Sequence, residues 1–201
     1  METITVPDFV ALAPVPNRVE RIDTLDGHLR VLADAFGRAQ RRMAIPSPYL
    51  TNRAIQDDPC DVLAMVRQAS ARGVQVTVYV DPALNGRDMP KFGFLRAVDL
   101  LGATGAEVAF VNRVHAKTLC VNDPEIAKGA FNWLSAVRDE GSAYQRLEAS
   151  FRYTGRDAAR FVTKALSCLD GARIDKQPVL ADDHQDRFGT ALHSLQSPPA
   201  Q

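Results

Sequence analysis

Cysteine is scarce in this chain of 201 residues, with three in total: Cys60, Cys120 and Cys168. An odd count without CxxC spacing argues against a disulfide scaffold and a zinc ribbon, and it favours reduced thiols. The sequence also has no excess of either charge, because 24 Lys and Arg residues balance 24 Asp and Glu residues. This balance excludes a protein that coats nucleic acid through bulk positive charge, while a local basic site remains open.

Long apolar runs are missing as well. No stretch approaches the roughly 18 residues that a membrane helix needs. The first twenty residues, METITVPDFVALAPVPNRVE, lack the basic and apolar regions of a signal peptide and are interrupted by proline. We therefore expect a cytoplasmic protein with no membrane partner.

The remaining composition, 46% hydrophobic and 24% charged, is typical of a globular domain. We expect residues 1–22 to form an N-terminal arm, in which Thr3–Val6 is a candidate strand. Residues 23–170 should form one domain. Residues 171–201 show no sustained period and should form a flexible tail.

Hydrophobic periodicity predicts the elements of this domain. Helical spacing covers Leu29 to Met43, a segment from Asp58 or Pro59 to Gly73, roughly Phe92–Leu101, and Ala158 to Leu169. Short strands are expected to end at Ile45 and to cover residues 74–80, 106–111, 114–121, 126–131 and 147–153. The alternation predicts an α/β fold, with a mixed, largely parallel central sheet flanked by helices on both faces.

The richest stretch for chemistry is VHAKTLCVNDPEIAKGAFNWLSA, residues 114–136. Since side chains alternate along a strand, His115 and Lys117 should share one face. Asn132 on the following strand and Glu148 on the next could converge with them on one pocket. An imidazole beside a cation, an amide and a carboxylate suits a phosphate substrate.

Each of these residues also has a structural interpretation. A His-x-Lys pair occurs often at exposed strand ends, and Asn132 is a common turn residue. Glu148 could be a solvated partner of Arg146 or Arg152. The order and spacing of the set therefore carry more information than any member.

That order resembles the phospholipase D superfamily, whose motif is His-x-Lys, four residues, Asp, six residues and Gly-Ser-x-Asn. This chain reads His115-Ala-Lys117, TLCV, Asn122, six residues and Gly129-Ala130-Phe131-Asn132. The FNW, SPYL and ARGVQVTVYVD segments are also typical of the family, and the resemblance covers about residues 25–170. Two positions depart from the motif, because Asn122 replaces its Asp and Ala130 replaces its Ser.

The resemblance implies a phospholipase D-like fold and a phosphodiesterase that needs no metal and no other cofactor. One His115 attacks phosphorus and forms a phosphohistidine, while a second His protonates the leaving oxygen. Lys117 and Asn132 hold phosphate oxygens, and Glu148 orients the imidazole. Since the chain contains one motif, as small bacterial endonucleases of this family do, the resemblance also implies a homodimer with a shared site.

Nucleic acid, either DNA or RNA, is the substrate we expect. Residues 28–53 contain five Arg and one Asp, and such a basic segment is a candidate contact for repeated phosphates. Ser135, Arg113 and Arg138 are candidate substrate-binding residues near the pocket. Aromatic stacking on bases is a further option for Tyr49, Trp133 and Tyr144, with packing in the core or at its rim as the alternative.

Two alternatives follow from the departures and from the breadth of the family. Asn122 has the shape of Asp without its charge, and Ala130 removes a hydroxyl that could donate to phosphate. The domain could thus bind nucleic acid or a partner without cutting. It could also be a phospholipase or phosphatidyl-type transferase. Family habits add the hypothesis that the chain is part of a larger bacterial system.

Overall fold

The structure, a computed structural model, describes residues 16–56, 60–87, 91–144 and 146–174. It contains the following elements in chain order: β1 (Arg18–Ile22), α1 (Leu25–Arg38), β2 (Arg42–Pro46), α2 (Asn52–Gln56), α3 (Val62–Ala71), β3 (Gln75–Val80), α4 (Pro82–Arg87), α5 (Lys91–Ala103), β4 (Glu107–Phe110), β5 (Thr118–Val121), β6 (Glu125–Gly129), β7 (Ser150–Thr154) and α6 (Arg156–Asp170).

The seven strands form one mixed sheet in the order β1-β7-β6-β5-β2-β3-β4. The expected mixed α/β fold is confirmed. The parallel share was overestimated, because only the β2–β3 and β3–β4 pairs are parallel among the described strands. The other four pairs are antiparallel. A three-residue turn joins β5 to β6, and so short a connection can link only antiparallel neighbours.

Helices cover both faces of the sheet, as expected. One core contains residues of α1, α3 and α5 together with Leu119 and Val121 of β5. On the opposite face, a second core contains Cys120 of β5 and the apolar side of α6. The alternation along β5 therefore separates the two cores.

Two boundaries differ from the sequence-based expectation. Residues 18–22, expected in the arm, form edge strand β1, which pairs with β7. The first helix ends at Arg38 and not at Met43, because the chain turns to an extended conformation at Ala39 and Met43 belongs to β2. The candidate strand Thr3–Val6 and residues 175–201 lie outside the described residues. Within the described ranges, no helix has the length and apolar character needed to cross a bilayer.

Candidate active site

Three neighbouring strands bring the motif residues to one end of the sheet. β5, β6 and β7 are adjacent and antiparallel, so the start of β5, the end of β6 and the start of β7 lie together. Lys117 directly precedes β5, Asn132 follows β6 by three residues, and Glu148 precedes β7 by two. The loop between β6 and β7 thus carries two of the four predicted catalytic residues, Asn132 and Glu148.

The motif histidine lies before the strand and not within it. β5 begins at Thr118, and residues 112–117 form a turn and an irregular segment in which Arg113 has a positive φ of 60°. The strand predicted from Val114 was therefore too long. His115 is exposed and Lys117 is half-buried. Ala116 between them packs against the α6 core.

Glu148 is half-buried, and its environment favours the protonated form. Burial raises the pKa of this carboxyl group, while the charges of Lys117 and Arg146 oppose the increase. The effect of the Lys117 charge on the pKa of Glu148 indicates that these two predicted residues are electrostatic neighbours. A half-buried carboxyl group beside a lysine can orient or exchange a proton with a neighbouring group.

A cavity of about 480 Å³ opens beside this end of the sheet, and the predicted residues Asn132, Ser135 and Glu148 line it. His115 and Lys117 are not among its lining residues, so only Asn132 and Glu148 of the four expected catalytic residues share this pocket. The other lining residues are Asp23, Thr24, Leu25, His28, Phe131, Ala136, Val137, Glu140, Tyr144, Arg146 and Leu147. Tyr144 is 81% exposed and Leu147 is fully exposed. The exposed lining residues therefore combine apolar Leu147 and aromatic Tyr144 with the charged side chains of Asp23, Glu140 and Arg146.

A tight turn holds Asn132 at the floor of the cavity. Its carbonyl accepts hydrogen bonds from the backbone N–H groups of Ser135 and Ala136, at 3.2 and 2.9 Å. The side-chain Oδ1 of Asn132 is buried and has no hydrogen-bond partner among the described residues. Trp133, the next residue, is fully buried, so the core interpretation of this aromatic is correct and stacking on bases is excluded.

Two predicted substrate contacts have other surroundings. Neither Arg113 nor Arg138 is among the described residues that line the cavity. Arg113 is exposed on the turn before His115. Arg138 donates hydrogen bonds to the backbone carbonyls of Cys60 and Trp133. Its guanidinium group therefore braces the loop after the motif against the segment that precedes α3.

The motif position occupied by Asn122 serves the fold. Asn122 lies after the last residue of β5, at the opposite end of the strand from His115. Its φ of 50° is in the left-handed region, which Asn tolerates better than most residues. Its side chain accepts from the backbone N–H groups of Gln40 and Arg41 and donates to the carbonyl of Arg38. A charge is not needed for this role.

Ala130, the second position that differs from the family motif, lies close to the site but does not line the cavity. The Ala130 N–H donates to the carbonyl of Ala149, at 2.9 Å, and its methyl group is exposed. The preceding Gly129 is required by space, because a Cβ there would lie 2.4 Å from Oγ of Ser150 and from the carbonyl oxygen of Ala149. The glycine of the motif thus allows β6 and β7 to approach closely.

The basic segment before the site is largely paired. Arg30 contacts Asp26, and Arg38 contacts Asp34 and Glu125. Arg41 and Arg42 both contact Asp123. The net charge of residues 28–53 therefore overstates the free positive charge that this surface presents.

One residue of the cavity, His28, was not identified as functional from the sequence. The sequence contained a signal for it, because a histidine four residues before Leu32 lies on the apolar face of α1.

No group of three His, Cys, Asp or Glu side chains with metal-site geometry occurs in the described ranges. Lysine, arginine and amide side chains near this end of the sheet can hold an anion.

Comparison with known proteins identifies the family. Residues 32–165 match the family described as cardiolipin synthase, PLD-like domain. The chain belongs to the phospholipase D superfamily. No curated protein sequence matches it significantly.

Several solved structures share its fold. Nuc from Salmonella typhimurium, a phospholipase D family member, has a TM-score of 0.60 and 18% identity over 81% of this chain and 99% of Nuc. NucT from Helicobacter pylori has a TM-score of 0.60 and 13% identity over 79% of this chain and 99% of NucT. Phosphatidylserine synthase from Haemophilus influenzae Rd KW20 has a TM-score of 0.56 and 16% identity over 80% of this chain and 40% of the synthase.

Proposed function

We propose that this phospholipase D-type protein is a nuclease that hydrolyses phosphodiester bonds of DNA or RNA without a metal ion. The observation that carries the proposal is the arrangement of β5, β6 and β7, which brings His115-x-Lys117, Asn132 and Glu148 to one end of the sheet. Lysine and amide donors there can stabilise the charge that develops on the equatorial phosphate oxygens.

The proposed reaction has two steps. A ring nitrogen of His115 attacks phosphorus, the P–O bond to the leaving group breaks, and a second histidine donates a proton to the leaving oxygen. Water then attacks the phosphohistidine, the second histidine takes its proton, and the P–N bond breaks. Glu148 holds the imidazole in the productive orientation.

We assign the second histidine to a second copy of the chain, as the single motif implies by its resemblance to the family; His184 and His193 lie outside the described residues. Among the described residues the only other histidine is His28, which is fully buried. Both of its ring nitrogens are already within hydrogen-bond distance of Thr24 and Ser150. It is therefore unsuited to transfer protons to a substrate. A two-fold dimer that joins two His115 rings completes the site.

The exposed residues that line the cavity favour nucleic acid as the substrate. Tyr144 is 81% exposed and lines the cavity near Arg146. An exposed aromatic ring near a cation is suited to bind a base and its neighbouring phosphate. Exposed His115 would remain accessible to a long polymer.

The test is hydrolysis of single-stranded DNA, double-stranded DNA, RNA and bis(4-nitrophenyl) phosphate in EDTA. We expect EDTA-resistant cleavage that is lost in His115→Ala. Co-expression of tagged wild-type and His115→Ala chains at varied ratios tests the shared site, because activity should fall with the square of the wild-type fraction. A linear fall, or cleavage that requires Mg²⁺, would contradict the proposal.

A domain that binds nucleic acid without cutting is the second candidate, and Ala130 favours it by removing a hydroxyl from the motif. Asn122 no longer supports this candidate, because its side chain holds backbone groups far from the cavity. Binding of labelled oligonucleotides without turnover of any of the four substrates would favour the second candidate. Head-group release from phospholipid vesicles would instead indicate a lipid hydrolase.

A further inference from the structure

His28 is a fully buried histidine in the first turn of α1. Its Nδ1 lies 2.7 Å from the backbone carbonyl oxygen of Thr24. A carbonyl oxygen only accepts hydrogen bonds, so Nδ1 carries the proton. Burial lowers the pKa of this imidazole, against smaller opposing effects of the Thr24 hydrogen bond and of Asp23, and the ring is neutral at pH 7.

The tautomer fixes the direction of the second hydrogen bond. In a neutral ring protonated on Nδ1, Nε2 is an acceptor. Nε2 lies 2.9 Å from Oγ of Ser150, so the Ser150 hydroxyl donates to His28. Ser150 is also fully buried, and an apolar residue in place of His28 would leave this hydroxyl without its partner.

The same ring contacts the end of β6 through aromatic stacking. The His28 and Phe131 rings have centroids 4.3 Å apart at an angle of 22°, and the Trp133 ring lies 5.7 Å away. Asn132 is between these two aromatic residues in the chain. The rings therefore fix both neighbours of Asn132, while the hydrogen bond to Ser150 fixes the start of β7, two residues after Glu148.

We infer that His28 is a positioning residue, which uses a neutral imidazole to set the separation between Asn132 and Glu148. The inference depends on the proposed function, because Asn132 there holds the phosphate and Glu148 orients the imidazole of His115. Gly129 provides further support for the inference, because Gly129 and Ser150 are partners in the β6–β7 register. Space for the Ser150 hydroxyl exists only because Gly129 has no side chain.

Kinetic comparison of His28→Leu and His28→Gln tests the inference. Leu fills the space without hydrogen bonds, whereas the Gln amide oxygen can accept from Ser150. Below the Tm of every variant, we expect His28→Leu to lower kcat for bis(4-nitrophenyl) phosphate about tenfold or more, with little change in KM. His28→Gln should recover most of the loss, and Ser150→Ala combined with His28→Leu should add little to it.

Leu32→Val is the matched control, since Leu32 is fully buried one turn further along α1 and does not line the cavity. It should lower Tm and leave kcat within about twofold, as expected of a core change without altered site geometry. Unchanged kcat in His28→Leu, or an equal kcat loss in Leu32→Val, would overturn the inference.

Imidazole ¹⁵N NMR of the wild-type protein separates this inference from the proposed function. The His28 ring should show a protonated Nδ1 and an unprotonated Nε2 at pH 7. The charged groups that line the same cavity are Asp23, Glu140, Arg146 and Glu148, and of these Asp23 raises the pKa of His28. Protonation on Nε2, or an imidazolium ring at pH 7, would overturn the inference whatever the enzyme hydrolyses. Absence of hydrolysis with the expected tautomer would count against the proposed function alone.

Discussion

The side-chain oxygen of Asn122 lies 3.0 Å from the backbone nitrogen of Arg41 and accepts its hydrogen bond. The same oxygen accepts from Gln40, at 3.1 Å. These two N–H groups lie between the end of α1 and the start of β2. The residue at the acidic position of the motif thus stabilises the entry of the chain into the central sheet.

Restoring the motif residue should have little effect. In Asn122→Asp the carboxylate can still accept both backbone N–H groups, and it loses only the donor to the Arg38 carbonyl. We expect a change in the free energy of unfolding of about 1 kcal/mol or less and an unchanged kcat. Urea denaturation and hydrolysis assays check this, and a large gain in kcat would show that Asn122 limits catalysis.

Removing the side chain should destabilise the fold. Asn122→Ala deletes three side-chain hydrogen bonds. It also places at a φ of 50° a residue that, unlike Asn, has no polar side chain to stabilise the left-handed conformation. We expect a loss of about 2–3 kcal/mol in the free energy of unfolding. Asn122→Gly, which relieves only the backbone strain, should recover about 1 kcal/mol of it. Equal stability of the Ala and Asn proteins would refute this account.

Gly129→Ala should separate β6 from β7. The added Cβ would lie 2.4 Å from backbone atoms of Ala149 and Ser150, and rigid backbone cannot yield cheaply. We expect a loss of about 3 kcal/mol in stability together with loss of hydrolysis. The control is Gly37→Ala in α1, where a Cβ meets nothing within 4 Å and should raise stability by up to about 1 kcal/mol. Thermal unfolding of both variants checks the contrast.

The sequence predicted the mixed α/β fold, because helical and strand periodicities alternate along the chain, while the site at this end of the sheet stays a prediction. Periodicity could not locate the start of β5, since the turn at Arg113 depends on a backbone conformation with positive φ. It also could not show that carboxylates pair with the arginines of residues 28–53, because Asp123 and Glu125 are distant in sequence.

Buried polar groups were the other feature that sequence patterns missed. His28 fits the apolar face of α1, but its partner Ser150 is 122 residues away. Motif spacing identified Asn132 and Glu148 because the family pattern includes both. Spacing does not reveal the aromatic and hydrogen-bond contacts that fix their separation.

Glu148→Gln should lose activity without losing stability. Because the pKa of Glu148 is raised in the folded state, the native carboxyl group favours folding below its unfolded pKa, and this contribution is lost as pH rises through the folded pKa. At pH 7 the wild-type carboxyl group no longer makes its full contribution to stability, whereas the neutral Gln side chain does not titrate. We expect the Tm of Glu148→Gln to equal or exceed that of the wild-type protein at pH 7, and the difference between the two Tm values to be smaller near pH 4. Hydrolysis should fall by about 10²-fold, and a lower Tm at pH 7 would contradict this interpretation.

The final prediction compares the contributions of Arg146 and Arg41 to nucleic-acid binding. Arg146 lines the cavity with Tyr144 and Glu148, whereas Arg41 contacts Asp123 beyond the opposite end of β5. If phosphates bind at the cavity, Arg146→Gln should raise KM for oligonucleotides and reduce the slope of log affinity against log salt by about 0.7 for single strands.

Arg41→Gln removes the same charge from a surface ion pair, so the slope should not change and stability should fall by less than about 1 kcal/mol. Fluorescence anisotropy at several salt concentrations, performed on the His115→Ala background to prevent cleavage, measures both slopes. Equal reductions for the two variants would place the nucleic acid across the whole basic segment and not at the cavity.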